Sequence, residues 1–425
     1  MLFFIYDLLL LLLIIISSPL LVIKLFKKNE LLLWKYRLGI VSIIIKEPLN
    51  KKIWFHAASV GEINGIYPVL DSLFQKNNDL EFVVTTYTAT GLKRAKEIFS
   101  GYPVKYYSIL PIDISFIIKR FIKKINPQII VISETELWPN LIIQAKKQGI
   151  IVIMINGRIS DSSWPKYLSF RFFFKKIVTK IDFYCAQTDI DKNRIISLGM
   201  SSKHVEITGN AKYSFIPITA KDISIILNNP VIVAGSTRPG EEEIILEAFS
   251  KFFKNFSKAM LVIAPRHLER IPEVEKMVRK TGISYMLRSK YLSNKDLQFT
   301  IVILDTLGEL TSFYKLSDIS FVGGTLKPFD GHNILEPAAF NKPVLFGPYI
   351  NNVKEAAEDL LKSGGGRKIY NAKDLEQAFE EILSDENKNR TMGEKAFFVF
   401  RKHKQSAIKQ AEIIELYEKN INNPV

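Results

Sequence analysis

The sequence predicts an α/β chain made of two doubly wound parallel-sheet domains behind a short apolar amino-terminal segment. Short uncharged runs of the buried-strand type recur, each followed by a turn and then by a segment with helical spacing. The alternation occurs twice and weakens once, between about 214 and 230. A length of 425 residues suits two domains that each bury their own core.

Composition narrows the function classes. Hydrophobic residues make up 47% and charged residues 24%, which excludes disorder for the body of the chain. Lys+Arg (58) exceed Asp+Glu (43), for a net charge of +15. That balance favours anionic partners such as a phosphorylated substrate, an anionic membrane face or nucleic acid. The lysines are spread rather than blocked, which a lysine-rich solvated surface explains equally well. Cys185 is the single cysteine, so no intramolecular disulfide forms and a reducing compartment is expected. No CxxC pair or His-rich tract signals a structural metal.

From the amino terminus, Leu8 to Ile23 carry no charge. This is short for a span but workable with Asp7 and Lys24 snorkelling at its ends, so residues 1–28 are expected to form a membrane anchor. Lys24, Lys27 and Lys28 follow the apolar run, whereas a signal peptide carries its lysines ahead of it. The positive-inside rule then leaves everything downstream on the cytoplasmic side.

The first domain is expected over 29–215, with strands at 53–55, 82–85, 129–132, 151–155 and 183–186. Its clearest helix is DISFIIKRFIKKIN. Asp113 suits the N-cap there, and Ile114, Ile117, Ile118, Phe121, Ile122 and Ile125 recur at three-four spacing. Two prolines bracket a polar stretch, which places a linker at 216–229. The second domain, 230–395, has strands at 231–234, 260–263, 301–304, 319–322 and 344–346, and 396–425 reads as a closing helix.

In doubly wound sheets ligands bind where loops leave the carboxyl ends of strands. Those loops hold the unusual residues. HAASVGE delivers Glu62, either as an ordinary helix-start acid or as a general base. SETELWPN carries Glu134 and Glu136, whose like charges raise each other's pKa unless a cation such as Lys212 of TGNAK offsets them. NGRIS follows the 151–155 strand.

In the second half, GSTRPGEE has the small residues of a phosphate-facing turn, with Glu241 to Glu243 favouring a helix N-terminus, and APRH offers the planar fork of Arg266. DTLGEL places Gly308 and Glu309 at a strand end. GGTLKPFDGHNILEPAAF combines close-approach glycines with Asn333 as a helix cap and Glu336 near the helix start, where a carboxylate can accept two ribose hydroxyls. This last loop reads as a nucleotide-sugar site.

Taken together, H-x-x-SVGE, SETELWPNLI, TGN-x-K, GST-x-PGEE, PRH-x-ER, DT-x-GEL and FVGG-x-L…GHN-x-LEPAAF…KPVLFGP resemble the 3-deoxy-D-manno-octulosonic acid (Kdo) transferases of lipopolysaccharide assembly, in order, over roughly residues 30 to 405. The resemblance implies a GT-B fold, two Rossmann-like domains facing a cleft. It further implies CMP-Kdo as donor, a tetraacyl bis-phosphorylated lipid A precursor as acceptor, and an inner-membrane location with the catalytic domains on the cytoplasmic side. By the same resemblance Glu62 is the proton acceptor, and Glu134 and Lys212 stabilise the transition state. CMP contacts carry over to Pro265, Arg266, Leu307, Gly308, Glu309, Asn333, Ile334, Leu335 and Glu336. Neither a metal, a cofactor nor a nucleic acid partner is expected. Asp330 stands where the family commonly has a second glycine. Two alternatives remain: another GT-B enzyme using a UDP-sugar (transferase or epimerase), and a non-catalytic membrane-tethered binding protein. Protection from thermal unfolding by CMP and not by UDP is the outcome that would disfavour the first, and the presence of Glu62, Glu134 and Lys212 together disfavours the second.

Overall fold

Two seven-stranded, wholly parallel sheets organise the chain in a computed structural model, which describes residues 2–25, 30–40, 52–214, 223, 225, 230–291 and 299–422. Contacts divide it into two units. Unit 1 comprises Met1–Phe215 with His403–Val425, and unit 2 comprises Ile216–Lys402. The expected 216–229 linker lies almost wholly outside the described residues.

The first sheet contains β1 (Lys52–His56), β2 (Glu81–Thr86), β3 (Val104–Ile109), β4 (Ile129–Ser133), β5 (Ile151–Gly157), β6 (Phe183–Ala186) and β7 (Val205–Ile207). Their order, β3-β2-β1-β4-β5-β6-β7, reverses direction between β1 and β4. Helices cover both faces, so central strands are apolar on both sides. Trp54, Ile130 and Ile132 pack into one core, while Ile53, Phe55, Ile129 and Val131 pack into the other.

The second sheet contains β8 (Val231–Thr237), β9 (Met260–Pro265), β10 (Tyr285–Leu287), β11 (Ile301–Ile303), β12 (Ile319–Val322), β13 (Val344–Phe346) and β14 (Gly366–Lys368). Its order is β10-β11-β9-β8-β12-β13-β14, with the reversal between β8 and β12. In each sheet the reversal is the crevice where ligands of such folds bind.

All ten strands expected from the sequence form. The four that were not expected, β3, β7, β10 and β14, are the four sheet edges. Two helical expectations need correction. Asp113 does not cap its own helix, Ser115–Ile125, whose N-cap Ile114 makes no side-chain cap bond. Its carboxylate instead accepts from Asn140 N and Leu141 N, both at 2.9 Å, and so caps the Pro139–Lys147 helix. The closing helix begins at Glu386, ten residues before the expected 396, and runs to Asn422.

Residues Leu2–Leu25 form one helix, but among the described residues no helix is long and apolar enough to cross a membrane. Asp7 Oδ1 accepts from Ser115 N (3.1 Å) and Asn140 Nδ2 (2.7 Å), while the Tyr6 hydroxyl donates to Asp113 (3.2 Å). One face of this helix is therefore docked on unit 1. The other exposes Phe4, Leu9, Leu13, Ile15 and Ile16.

Candidate active site

Glu62 occupies the first turn of the Val60–Lys76 helix, directly after β1. Ser59 is the N-cap, its hydroxyl accepting from Glu62 N (3.4 Å) and donating to Glu62 Oε1 (3.0 Å). Ala58 N donates to Oε2 at 2.8 Å. This resembles a capping box, with the carboxylate reaching back to the amide before the N-cap, so the local fold by itself accounts for a Glu at this position. Its electrostatics are less ordinary. The carboxyl is buried, and burial pushes its pKa up to about 7, with Glu134 and Glu136 adding repulsion that the Ala58 and Ser59 bonds only partly offset.

Glu134 leaves β4, the strand on the other side of the crevice, in a left-handed conformation (φ 56°). Such a backbone is uncommon for a non-glycine residue and breaks the alternation that would set Glu134 and Glu136 on one strand face. Burial raises the Glu134 carboxyl, and Lys212 and Arg158 pull it back down. Lys212 lies in the 3₁₀ turn Ala211–Ser214. Unit 1 thus gathers Glu62, Glu134 and Lys212, contributed by a helix start, a strand exit and a 3₁₀ turn. Arg158 lies in the NGRIS loop that follows β5, and a single arginine there gives no signal in the sequence until the fold brings its charge to bear on Glu134.

In unit 2 the loops after β8, β9 and β12 meet. Glu241 is fully buried and accepts from four backbone amides: Arg238 (2.9 Å), Gly324 (2.8 Å), Thr325 (2.9 Å) and Leu326 (2.8 Å). It stands at the N-cap of the Glu242–Phe253 helix, as the sequence leads one to expect, and in addition clamps the β8 and β12 loops together. Arg238 donates to His332 Nε2 (3.2 Å), contacts His267 Nε2 (2.7 Å) and lies 5.2 Å over the Phe329 ring. His332 is held down to about 4, chiefly by burial and then by Arg266 and Arg238. Arg266 follows Pro265, the last residue of β9, and lowers the carboxyl of Glu336, which burial pushes up to about 7. Among the described residues neither Arg238 nor Arg266 forms a salt bridge with a carboxylate, which leaves a cationic surface suited to an anion.

Asn333 Oδ1 accepts from Leu335 N at 3.2 Å. Asn333 is not the expected helix cap: the N-cap is Ile334, which makes no side-chain cap bond, and the helix is only Leu335–Ala338, a single turn, so the dipole expected from a longer helix is not available there. Asp330 adopts φ 62°, the conformation a glycine would supply, and its carboxylate accepts from Asn351 Nδ2 (2.7 Å). The Glu309 carboxylate is engaged by buried Arg288 (2.8 and 3.2 Å) and by Thr306. Leu307 and Gly308, with Gly308 at φ 81°, form the exposed bend before it. Among the described residues no group of His, Cys, Asp and Glu is placed to hold a metal ion.

A family model described as 3-Deoxy-D-manno-octulosonic-acid transferase (kdotransferase) matches residues 33–215. The 3-deoxy-D-manno-octulosonic acid transferase of Haemophilus influenzae is 33% identical over 88% of this chain and 89% of its own length. The chain belongs to the Kdo transferase family. It is accordingly a glycosyltransferase. The Aquifex aeolicus transferase is 33% identical over 78% of this chain and 86% of its own. A bifunctional glycosyltransferase/methyltransferase of Fusobacterium nucleatum is 37% identical over 79% of this chain, which spans about half (53%) of that protein. Among solved structures, a UDP-GlcNAc 2-epimerase from Neisseria meningitidis bound to UDP-GlcNAc aligns with TM-score 0.57 and 17% identity, over 86% of this chain and 99% of its own. That likeness shows the GT-B type of fold that this Kdo transferase family member shares. At such identity it lends no weight to a UDP-sugar substrate.

Proposed function

We propose that this family member transfers Kdo from CMP-Kdo to the tetraacyl, bis-phosphorylated lipid A precursor, with inversion at the anomeric carbon. The observation that carries the reading is Glu62, a buried carboxylate at the sheet crevice whose pKa is pushed up to about 7. A sugar hydroxyl is a poor nucleophile, and a base that titrates near working pH takes its proton as the new bond forms. The hydroxyl oxygen attacks the anomeric carbon, the bond to the CMP phosphate breaks, and the proton passes to Glu62. Glu134 and Lys212 stabilise the charge that develops, and Arg266 receives the departing phosphate. Pro265, Leu307 to Glu309 and Asn333 to Glu336 hold the nucleotide. The reaction so written calls for no metal and no cofactor besides the donor.

The same reading assigns the protein to the cytoplasmic face of the inner membrane. The exposed Leu/Ile face of the Leu2–Leu25 helix supports it, as do the cations of the helices beside it, Lys119, Arg120, Lys123 and Lys124 in one and Lys175 and Lys176 in the other. Incubation with CMP-Kdo and the lipid precursor, read by mass spectrometry, tests the proposal. A mass gain of one or more Kdo units is expected, and protection from thermal unfolding by UDP rather than CMP contradicts it.

A further inference from the structure

Unit 1 contains a buried polar cluster to which the reaction above gives no task. Its members come from distant parts of the chain. Asn156 lies near the end of β5 with a left-handed backbone (φ 52°), and Gln410 sits fully buried in the Glu386–Asn422 helix. Thr208 and Gly209 lead into the turn that carries Lys212.

Gln410 Nε2 lies within hydrogen-bond distance of Asn156 Oδ1 (3.1 Å), Thr208 Oγ1 (3.0 Å) and Gly209 O (3.0 Å), its two N–H groups shared among the three acceptors. Two of those acceptors carry no proton, so the nitrogen and not the oxygen of the amide must face them. Asn156 Oδ1 also accepts from Ala211 N at 2.7 Å, the residue before Lys212. Asn156 Nδ2 donates to Gly65 O at 3.4 Å, three residues beyond Glu62 in the same helix. That approach is close, since a Cβ on Gly65 would lie 3.4 Å from Asn156 Nδ2 and 3.7 Å from the Lys212 Cβ. The closing helix also abuts the turn directly. Gly209 has φ 80°, and a Cβ there would come within 2.4 Å of Ser406 Oγ. Ser214 Oγ donates to His403 O at 2.6 Å.

We propose that Asn156 and Gln410 are positioning residues for sugar transfer, fixing the Lys212 turn against the helix that presents Glu62. Gln410 Oε1 is buried with no hydrogen-bond partner among the described residues, a loss of stability that an apolar side chain would avoid. The amide is therefore explained by what its nitrogen organises and not by stability. Asn156 is the joint. It reaches the Glu62 helix through one atom and the Lys212 turn through the other, and Gln410 orients it.

The inference rests on the roles of Glu62 and Lys212 in the proposed reaction. Its test is Gln410→Met in the full chain, assayed with CMP-Kdo and the lipid precursor. The expected result is a fall in kcat approaching 10²-fold, the scale of an ångström-level misplacement. KM for CMP-Kdo and melting protection by CMP stay within about twofold of wild type, because the proposed CMP contacts lie in unit 2. Ile414→Val, which removes one methylene from the same helix, should lower the melting temperature and keep its kcat. Wild-type kcat in Gln410→Met overturns the proposal, as does a kcat loss shared by Ile414→Val. Asn156→Gly decides the matter should Gln410→Met not fold. Glycine keeps the left-handed backbone and removes both links, so kcat falls while KM for CMP-Kdo stays within about twofold. Wild-type kcat in Asn156→Gly overturns the proposal. Normal turnover in Glu62→Gln or Lys212→Met would instead refute the underlying reaction, independently of Gln410.

Discussion

Replacing Glu62 by Gln removes the proton acceptor while leaving its surroundings almost intact. The amide oxygen can still accept from Ala58 N, and the amide nitrogen can donate to Ser59 Oγ, so both bonds of the carboxylate have counterparts. Loss of a general base costs about 10²- to 10⁴-fold in rate, and the variant should fall by that much in kcat. Wild-type kcat/KM should decline about tenfold per pH unit below pH 7, following protonation of Glu62, and the variant should lose that limb.

Stability should move the opposite way. The folded-state pKa of about 7 lies above the ordinary 4.5. Between those values the folded state keeps a proton that the unfolded chain has released, so stability falls as pH rises and levels off above 7. The full difference corresponds to about 3 kcal/mol, an upper limit on what Gln recovers at pH 8. At pH 4 the gain should vanish. Initial rates by mass spectrometry, with melting curves at pH 4 and 8, measure both effects. Near-normal turnover at pH 8 refutes Glu62 as the base. A variant that melts below wild type at pH 8 refutes the account of its burial.

Three further outcomes follow from the same geometry. Glu241→Ala leaves four loop amides without their acceptor and should destabilise unit 2 by more than about 3 kcal/mol, measured by urea unfolding, with CMP protection lost. Arg266→Ala should abolish melting protection by CMP with little change in the unliganded melting temperature, since its guanidinium forms no described salt bridge; unchanged protection would remove it from the donor site. Leu9→Ser with Leu13→Ser and Ile16→Ser alters exposed positions of the amino-terminal helix, so co-sedimentation with anionic vesicles should fall while the melting temperature holds. Unchanged co-sedimentation would show that this face is not the membrane contact.

The fold was legible where burial is two-sided. All ten expected strands lie inside a sheet or next to its crevice, and read as continuous apolar runs because helices cover both faces. The four edge strands did not. Their residues are only partly covered, as in Val104–Ile109 and Gly366–Lys368, so their composition resembles that of loops. Capping shows a second limit. Asp113 precedes an amphipathic helix and has the right chemistry to cap it, yet the amides it satisfies belong to a helix 26 residues further along. Side-chain chemistry specifies that a carboxylate needs donors, and only packing specifies which ones.

The candidate site divides along the same line. Sequence alone determined the strand-and-helix alternation, the loops at the strand ends and the family motifs that single out Glu62, Glu134, Lys212 and Arg266 as candidates, because each is a local pattern. Tertiary structure decided what those groups experience. It buried Glu62 until its pKa neared 7, brought the charge of Arg158 to bear on Glu134, and made the helix-start acid Glu241 a clamp between two loops as well. It also brought Gln410 to the Lys212 turn across 201 positions of chain. Desolvation, charge proximity and hydrogen-bond geometry depend on residues distant in sequence, and only the folded chain brings them together.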